Sequence, residues 1–189
     1  MKRVSLIAVF LIALTTAFSI PKAQAQLGLR AGVNFASYND INGNVSSRTG
    51  FLVGAYYELK VPMSPLSIQP EVTYNQKGAE SSGTKIKVDY IEVPVLAKLS
   101  FSPGPITPHI SAGPYAGFVV SSKAENGGTS VDINNAQTDF GGIVGAGIDI
   151  NAGVTKLNLG ARYGFGFADA FDGGSGKNSV FSIVAGLRL

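Results

Sequence analysis

The chain of 189 residues contains no cysteine. This excludes disulfides, thiolate nucleophiles, thiolate metal sites and a lipid-modified N-terminal cysteine. Histidine is nearly as scarce: His109 stands alone, so no set of paired imidazoles can hold a transition metal. Long apolar runs are also missing, except for Val4 to Ile20. That run follows Lys2 and Arg3 and precedes Ala23-Gln24-Ala25, the three-part pattern of an export signal cleaved before Gln26. A retained transmembrane helix fits less well, because the run barely reaches spanning length and no stop-transfer charge cluster follows it. Removing residues 1–25 takes away Lys2, Arg3 and Lys22 and leaves 12 basic against 12 acidic residues. The formal charge of +3 therefore belongs to the signal, and the remaining domain, residues 26–189, is not expected to bind nucleic acid.

What the domain does have is alternation. In the last segment Phe181, Ile183, Ala185, Leu187 and Leu189 share one face, and Ser182, Val184, Gly186 and Arg188 the other, a period of two that no helix produces. The pattern recurs to give eight expected strands near residues 27–37, 48–60, 65–77, 84–101, 106–121, 138–150, 154–165 and 179–189. Connections alternate in character. Polar stretches rich in Gly, Ser, Asn and Asp are expected as long loops at 38–47, 78–83, 122–137 and 166–178. Tight turns are expected at Val61-Pro62-Met63-Ser64, Ser102-Pro103-Gly104-Pro105 and Asn151-Ala152-Gly153. An even strand count with both ends on the short-turn side predicts an all-β, eight-stranded antiparallel up-and-down barrel that spans a lipid bilayer, in the outer membrane.

Alternation alone does not say which face turns inward, since a soluble ligand-binding barrel is patterned the same way. Two features favour the membrane reading. Phe35, Phe51, Tyr74, Phe118, Phe140, Phe165 and Phe181 fall near the long-loop ends, with Tyr57 and Phe101 near the short-turn ends, as an aromatic girdle requires. The polar face also carries many glycines, among them Gly28, Gly54, Gly113, Gly141, Gly147 and Gly160, which are expected to make room for large charged neighbours in a narrow lumen. The expected lumen then contains Arg30, Glu58, Lys60, Glu71, Lys77, Glu92, Lys98, His109, Asp139, Asp149, Lys156, Arg162 and Arg188. Isolated charges there would be costly, so they should pair. Mixed signs also argue against a wide selective pore.

Other constellations carry less. Glu71 and Glu92 face inward on neighbouring strands, close enough in principle for acid–base work, but Arg30, Lys98 or Arg162 can neutralise them, and no nucleophile or oxyanion donor is identifiable. His109 reads as a satisfied lumen residue. Gly173-Gly174-Ser175-Gly176-Lys177 fails the phosphate-loop pattern, since Phe171 stands at the first glycine position and Asn178 at the Ser/Thr position. Gly141 to Gly147 lies inside a strand and is no dinucleotide fingerprint. Asp169 and Asp172 lack the spacing of a calcium loop. No catalytic, cofactor-binding or metal-binding residue is assigned, and the chain is expected not to be an enzyme.

The segments Leu27 to Asn34, Tyr90-Ile91-Glu92-Val93-Pro94-Val95-Leu96-Ala97-Lys98, Gly113-Pro114-Tyr115-Ala116-Gly117 and Asp139 to Gly147 resemble strands one, four, five and six of the PorT-like outer-membrane β-barrel proteins of Bacteroidetes. Within the fourth strand, Pro94 is expected to be accommodated by a bulge. Leu189 departs from the aromatic residue that often closes such barrels. The resemblance implies a small, porin-like integral outer-membrane barrel, non-enzymatic, whose charge-filled lumen leaves the long loops for contacts with protein partners or envelope components. A narrow channel for small solutes and a component of a protein secretion system are the alternatives.

Overall fold

The computed structural model describes residues 25–39, 46–81, 84–101, 104–126, 129–132, 138–169 and 177–189. They form nine strands: β1 (Ala25–Asn39), β2 (Ser46–Lys60), β3 (Leu66–Ser81), β4 (Thr84–Ser100), β5 (Ile106–Asn126), β6 (Thr129–Asp132), β7 (Asp139–Ala152), β8 (Thr155–Asp169) and β9 (Lys177–Arg188). All but β6 join a closed antiparallel ring, sealed by the pairing of β1 with β9 and of β4 with β5. The short β6 only extends β5 beyond the barrel.

The ring has a definite stagger. Following directly paired residues from Ala25 through Leu59, Ile68, Ala97, Ala112, Val144, Tyr163 and Phe181 returns to β1 at Phe35, ten residues further along. Eight strands with that offset tilt by about 40° and enclose a radius of about 8 Å, a lumen that side chains just fill.

Burial is inverted relative to a soluble protein. Among the described residues, 19 polar or charged side chains are buried against 10 hydrophobic ones, while Leu29, Phe51, Val53, Phe118, Val144, Leu159 and Ile183 are exposed on the outer wall. The apolar face therefore meets lipid. Near the long-loop end the outer aromatics pair, Phe35 with Phe181 at 6.4 Å and Phe51 with Tyr74 at 5.8 Å between ring centres, as a girdle.

Several expectations shift in detail. Strand pairing outlasts the apolar pattern, because a hydrogen-bonded ladder needs no lipid-facing side chains. Ser81 pairs with Thr84, so most of the loop expected at 78–83 is strand, and β5 and β6 occupy much of 122–137. Likewise β1 continues to Asn39, and β8 and β9 enter the stretch expected as the last loop. Pro94 needs no bulge: its pairing with Tyr115 keeps the register of Val93 with Ala116, and on the β3 side the register resumes unchanged at Glu92 and Thr73. The irregularities lie at the long-loop rim instead, at Ser47/Leu52, Asp89/Tyr90 and Phe165/Asp169. The extra residue in β5 reverses its phase, so Ser122 faces inward after a run of odd-numbered inward residues such as His109 and Tyr115.

Short turns close the other end. Met63 (φ 57°) takes the left-handed position of a turn in which the Ser64 amide donates to the Val61 carbonyl at 3.3 Å, a place that favours glycine. Gly153 (φ 72°) provides that conformation at the first central position of the β7–β8 hairpin.

Candidate functional site

The inward faces of all eight barrel strands meet in a polar column with three tiers. At the centre, Glu71 (β3) is 2% exposed and holds two arginines. Arg162 (β8) donates two parallel hydrogen bonds to its carboxylate, each 2.8 Å, and Arg30 (β1) donates a third. Gln69 Nε2 adds a bond of 2.5 Å. The Arg30 guanidinium lies 4.5 Å over the Tyr56 ring on β2.

Toward the long-loop end, Lys77 (β3) bridges Glu92 (β4) at 2.5 Å and Asp139 (β7) at 3.0 Å. Its ammonium lies 5.2 Å from the ring centre of Tyr90 and 4.7 Å from that of Tyr115, whose hydroxyl donates to Asp139 at 2.9 Å. Asn75 donates to Glu92, Asn34 to Asn75 at 2.8 Å, and Ser182 to Asn34 at 2.7 Å. Toward the short-turn end, Lys98 (β4) bridges Asp149 (β7) at 2.6 Å and Glu58 (β2) at 3.5 Å, and Arg188 (β9) donates to Glu58 at 2.5 Å. His109 Nε2 sits 3.6 Å from Asp149 and 2.7 Å from Asn158 Nδ2, which also donates to Asp149 at 2.7 Å. Asn158 accepts from Arg30 at 3.5 Å and so ties this tier to the centre.

Ten of the thirteen expected lumen charges therefore form ion pairs, five of each sign, and His109 joins the network. Lys60 and Lys156 are corrections. Lys60 is exposed and Lys156 half-buried at the short-turn mouth, because both strands end there and their side chains reach water. Glu71 and Glu92 are not brought together as an acid–base pair; each is taken up by its own cations. Among the described residues, no three His, Asp or Glu side chains gather as a metal site. Asp172 and Gly173 to Gly176 lie outside the described residues.

The glycines act differently from expectation. A Cβ on Gly28 would enter the Tyr56 ring, and one on Gly141 would enter the Tyr115 ring. Gly147, against His109, Gly145, against Arg162, and Gly117, against Glu92 and Asp139, do clear space for charged or ionisable side chains; Gly54 and Gly113 let neighbouring backbone approach. Cavities of about 30 Å³, beside Glu92 and Arg162, and about 10 Å³, beside Arg30 and His109, interrupt the column, the first with room for about two waters and the second for one at most. A vestibule of about 460 Å³ opens at the short-turn end. Sequence reasoning missed it, although its signal was present in cations placed next to two tight turns.

An apolar, girdled exterior around a column of matched charges, closed by eight staggered strands, defines a small membrane-spanning β-barrel with a filled lumen. The profile of the outer membrane protein beta-barrel domain family matches residues 19–172, and the chain belongs to that family, as an integral protein of the outer membrane. The solved structure of Neisserial surface protein A (NspA) is similar in fold, with a TM-score of 0.62 and 17% identity over 87% of this chain and 96% of that one. Also similar are Ail of Yersinia pestis (TM-score 0.48, 16% identity, 88% and 98% covered) and the N-terminal barrel of Pseudomonas aeruginosa OprF (0.47, 12%, 88% and 100%). No curated protein matches the chain. The family and fold are those of outer-membrane barrels.

Proposed function

We propose that this barrel is a non-conducting scaffold that holds its long-loop end at the cell surface for contact with protein partners or envelope components. The observation that carries this reading is the closed column: Arg30, Glu71, Lys77, Glu92, Lys98 and Arg188 are each 4% exposed or less. Solute passage would require breaking desolvated ion pairs, so the contact surface lies at the ends. Extended β5 and the β6 hairpin raise strand edges above the barrel on that side. Cross-linking on intact outer membranes, followed by mass spectrometry, is expected to capture partners at the long-loop end. Planar-bilayer recordings are expected to show no steady conductance; a stable open channel from folded protein would replace this reading with a solute pore.

The segments around Glu92 and Gly113 support membership of the PorT-like group of Bacteroidetes barrels, and Lys2 to Ala25 support export with a mature start at Gln26. Intact-mass measurement of the membrane-extracted protein tests the latter directly. The short-turn end is then the periplasmic one.

A further inference from the structure

The short-turn vestibule is built unlike the rest of the lumen. Its wall includes Glu58, Asp149, Lys60, Lys156 and Arg188, with Ser67 and Thr107 supplying hydroxyls. Glu58 and Asp149 are already matched by Arg188 and Lys98. Lys60 and Lys156 have no carboxylate within ion-pair distance among the described residues, so two positive charges are left over. The register makes this worse for the barrel alone: Lys156 stands directly across from Arg188, a like-charge pair that disfavours folding. Arg188 also lines the space, but from within the wall: it is 3% exposed and its Nη1 is taken up by Glu58.

We propose that this vestibule binds a phosphate monoester, with Lys60 and Lys156 donating to its oxyanion and Arg188 adding positive charge from the wall. Guanidinium and ammonium donors suit a divalent tetrahedral oxyanion, and the surplus of two positive charges matches it. The volume far exceeds that of the ion and leaves room for the rest of a phosphate monoester, either a soluble one or the phosphatidic acid headgroup of the adjacent leaflet.

The test uses the full folded chain in a phosphate-free maltoside detergent, titrated with glycerol 3-phosphate by calorimetry, and in phosphatidylcholine nanodiscs with and without phosphatidic acid. Saturable binding in detergent assigns a soluble ester; a signal confined to phosphatidic acid discs, read as a shift of the Lys60 and Lys156 side-chain NMR resonances, assigns a headgroup. In either case Lys60→Gln with Lys156→Gln is expected to weaken binding by at least about tenfold while heat-dependent gel mobility stays that of folded barrel. Those two lysines lie outside the ion-pair column, so the double variant keeps the fold. Absence of a saturable response to either probe, or binding unchanged in the double variant, overturns the proposal.

Discussion

The Glu71 knot and the short-turn vestibule use the same chemistry, arginine and carboxylate on facing strands, and treat it oppositely. Around Glu71 three strands bring two guanidiniums to one carboxylate, whose acceptors are filled by Arg30, Arg162 and Gln69. At the mouth, Arg188 keeps a buried donor open while two lysines stand beside it without carboxylates. The knot too leaves one guanidinium donor open, Arg30 Nε, but every cation there has a carboxylate partner, and at the mouth two cations have none among the described residues. The contrast separates charges that hold the wall together from charges that face an occupant.

The largest effect is expected where every cation has a carboxylate partner. Glu71→Gln leaves two cations buried against a neutral amide and is expected to cost about 3–5 kcal/mol, read by urea unfolding in detergent micelles. Replacing the knot by apolar residues, with Glu71→Leu, Arg30→Met and Arg162→Met together, is expected to restore stability to wild type or raise it by about 1–4 kcal/mol; a loss as large as that of Glu71→Gln would mean that the ion pairs themselves stabilise the ring. At the mouth the sign reverses. Lys156→Glu removes the like-charge pairing with Arg188 and is expected to stabilise by about 0.2–1 kcal/mol in the same assay, whereas destabilisation would erase the distinction between the two regions. Smallest is Met63→Gly in the turn at the vestibule rim, expected to raise the unfolding free energy slightly, by about 0.5 kcal/mol, by relieving a left-handed backbone.

Much of this architecture was legible in the chain. Alternation is a local signal, so strand identity and the inward set from Arg30 to Arg188 could be read directly, as could the tight turns. Pairing was not local. Arg162 meets Glu71 across 91 residues and Arg188 meets Glu58 across 130. Which charges share a tier depends on the ten-residue stagger, a property of closure that no single strand displays. For the same reason Lys60 and Lys156 read as lumen residues, since their phase was right but their height along the axis was hidden. The extra residue in β5 was equally invisible, because a bulge changes phase without changing composition.

Closure has a kinetic meaning as well. The seam between β1 and β9 joins residues such as Ala31 and Ala185, so the first strand to emerge from synthesis must wait for the last before either is satisfied. Until then the sheet has two bare edges, each able to recruit a foreign strand. Such distant pairing makes assembly intrinsically slow and leaves the half-built barrel prone to aggregate. A chain cut short within β9 would therefore fail as an aggregate rather than as a weaker barrel.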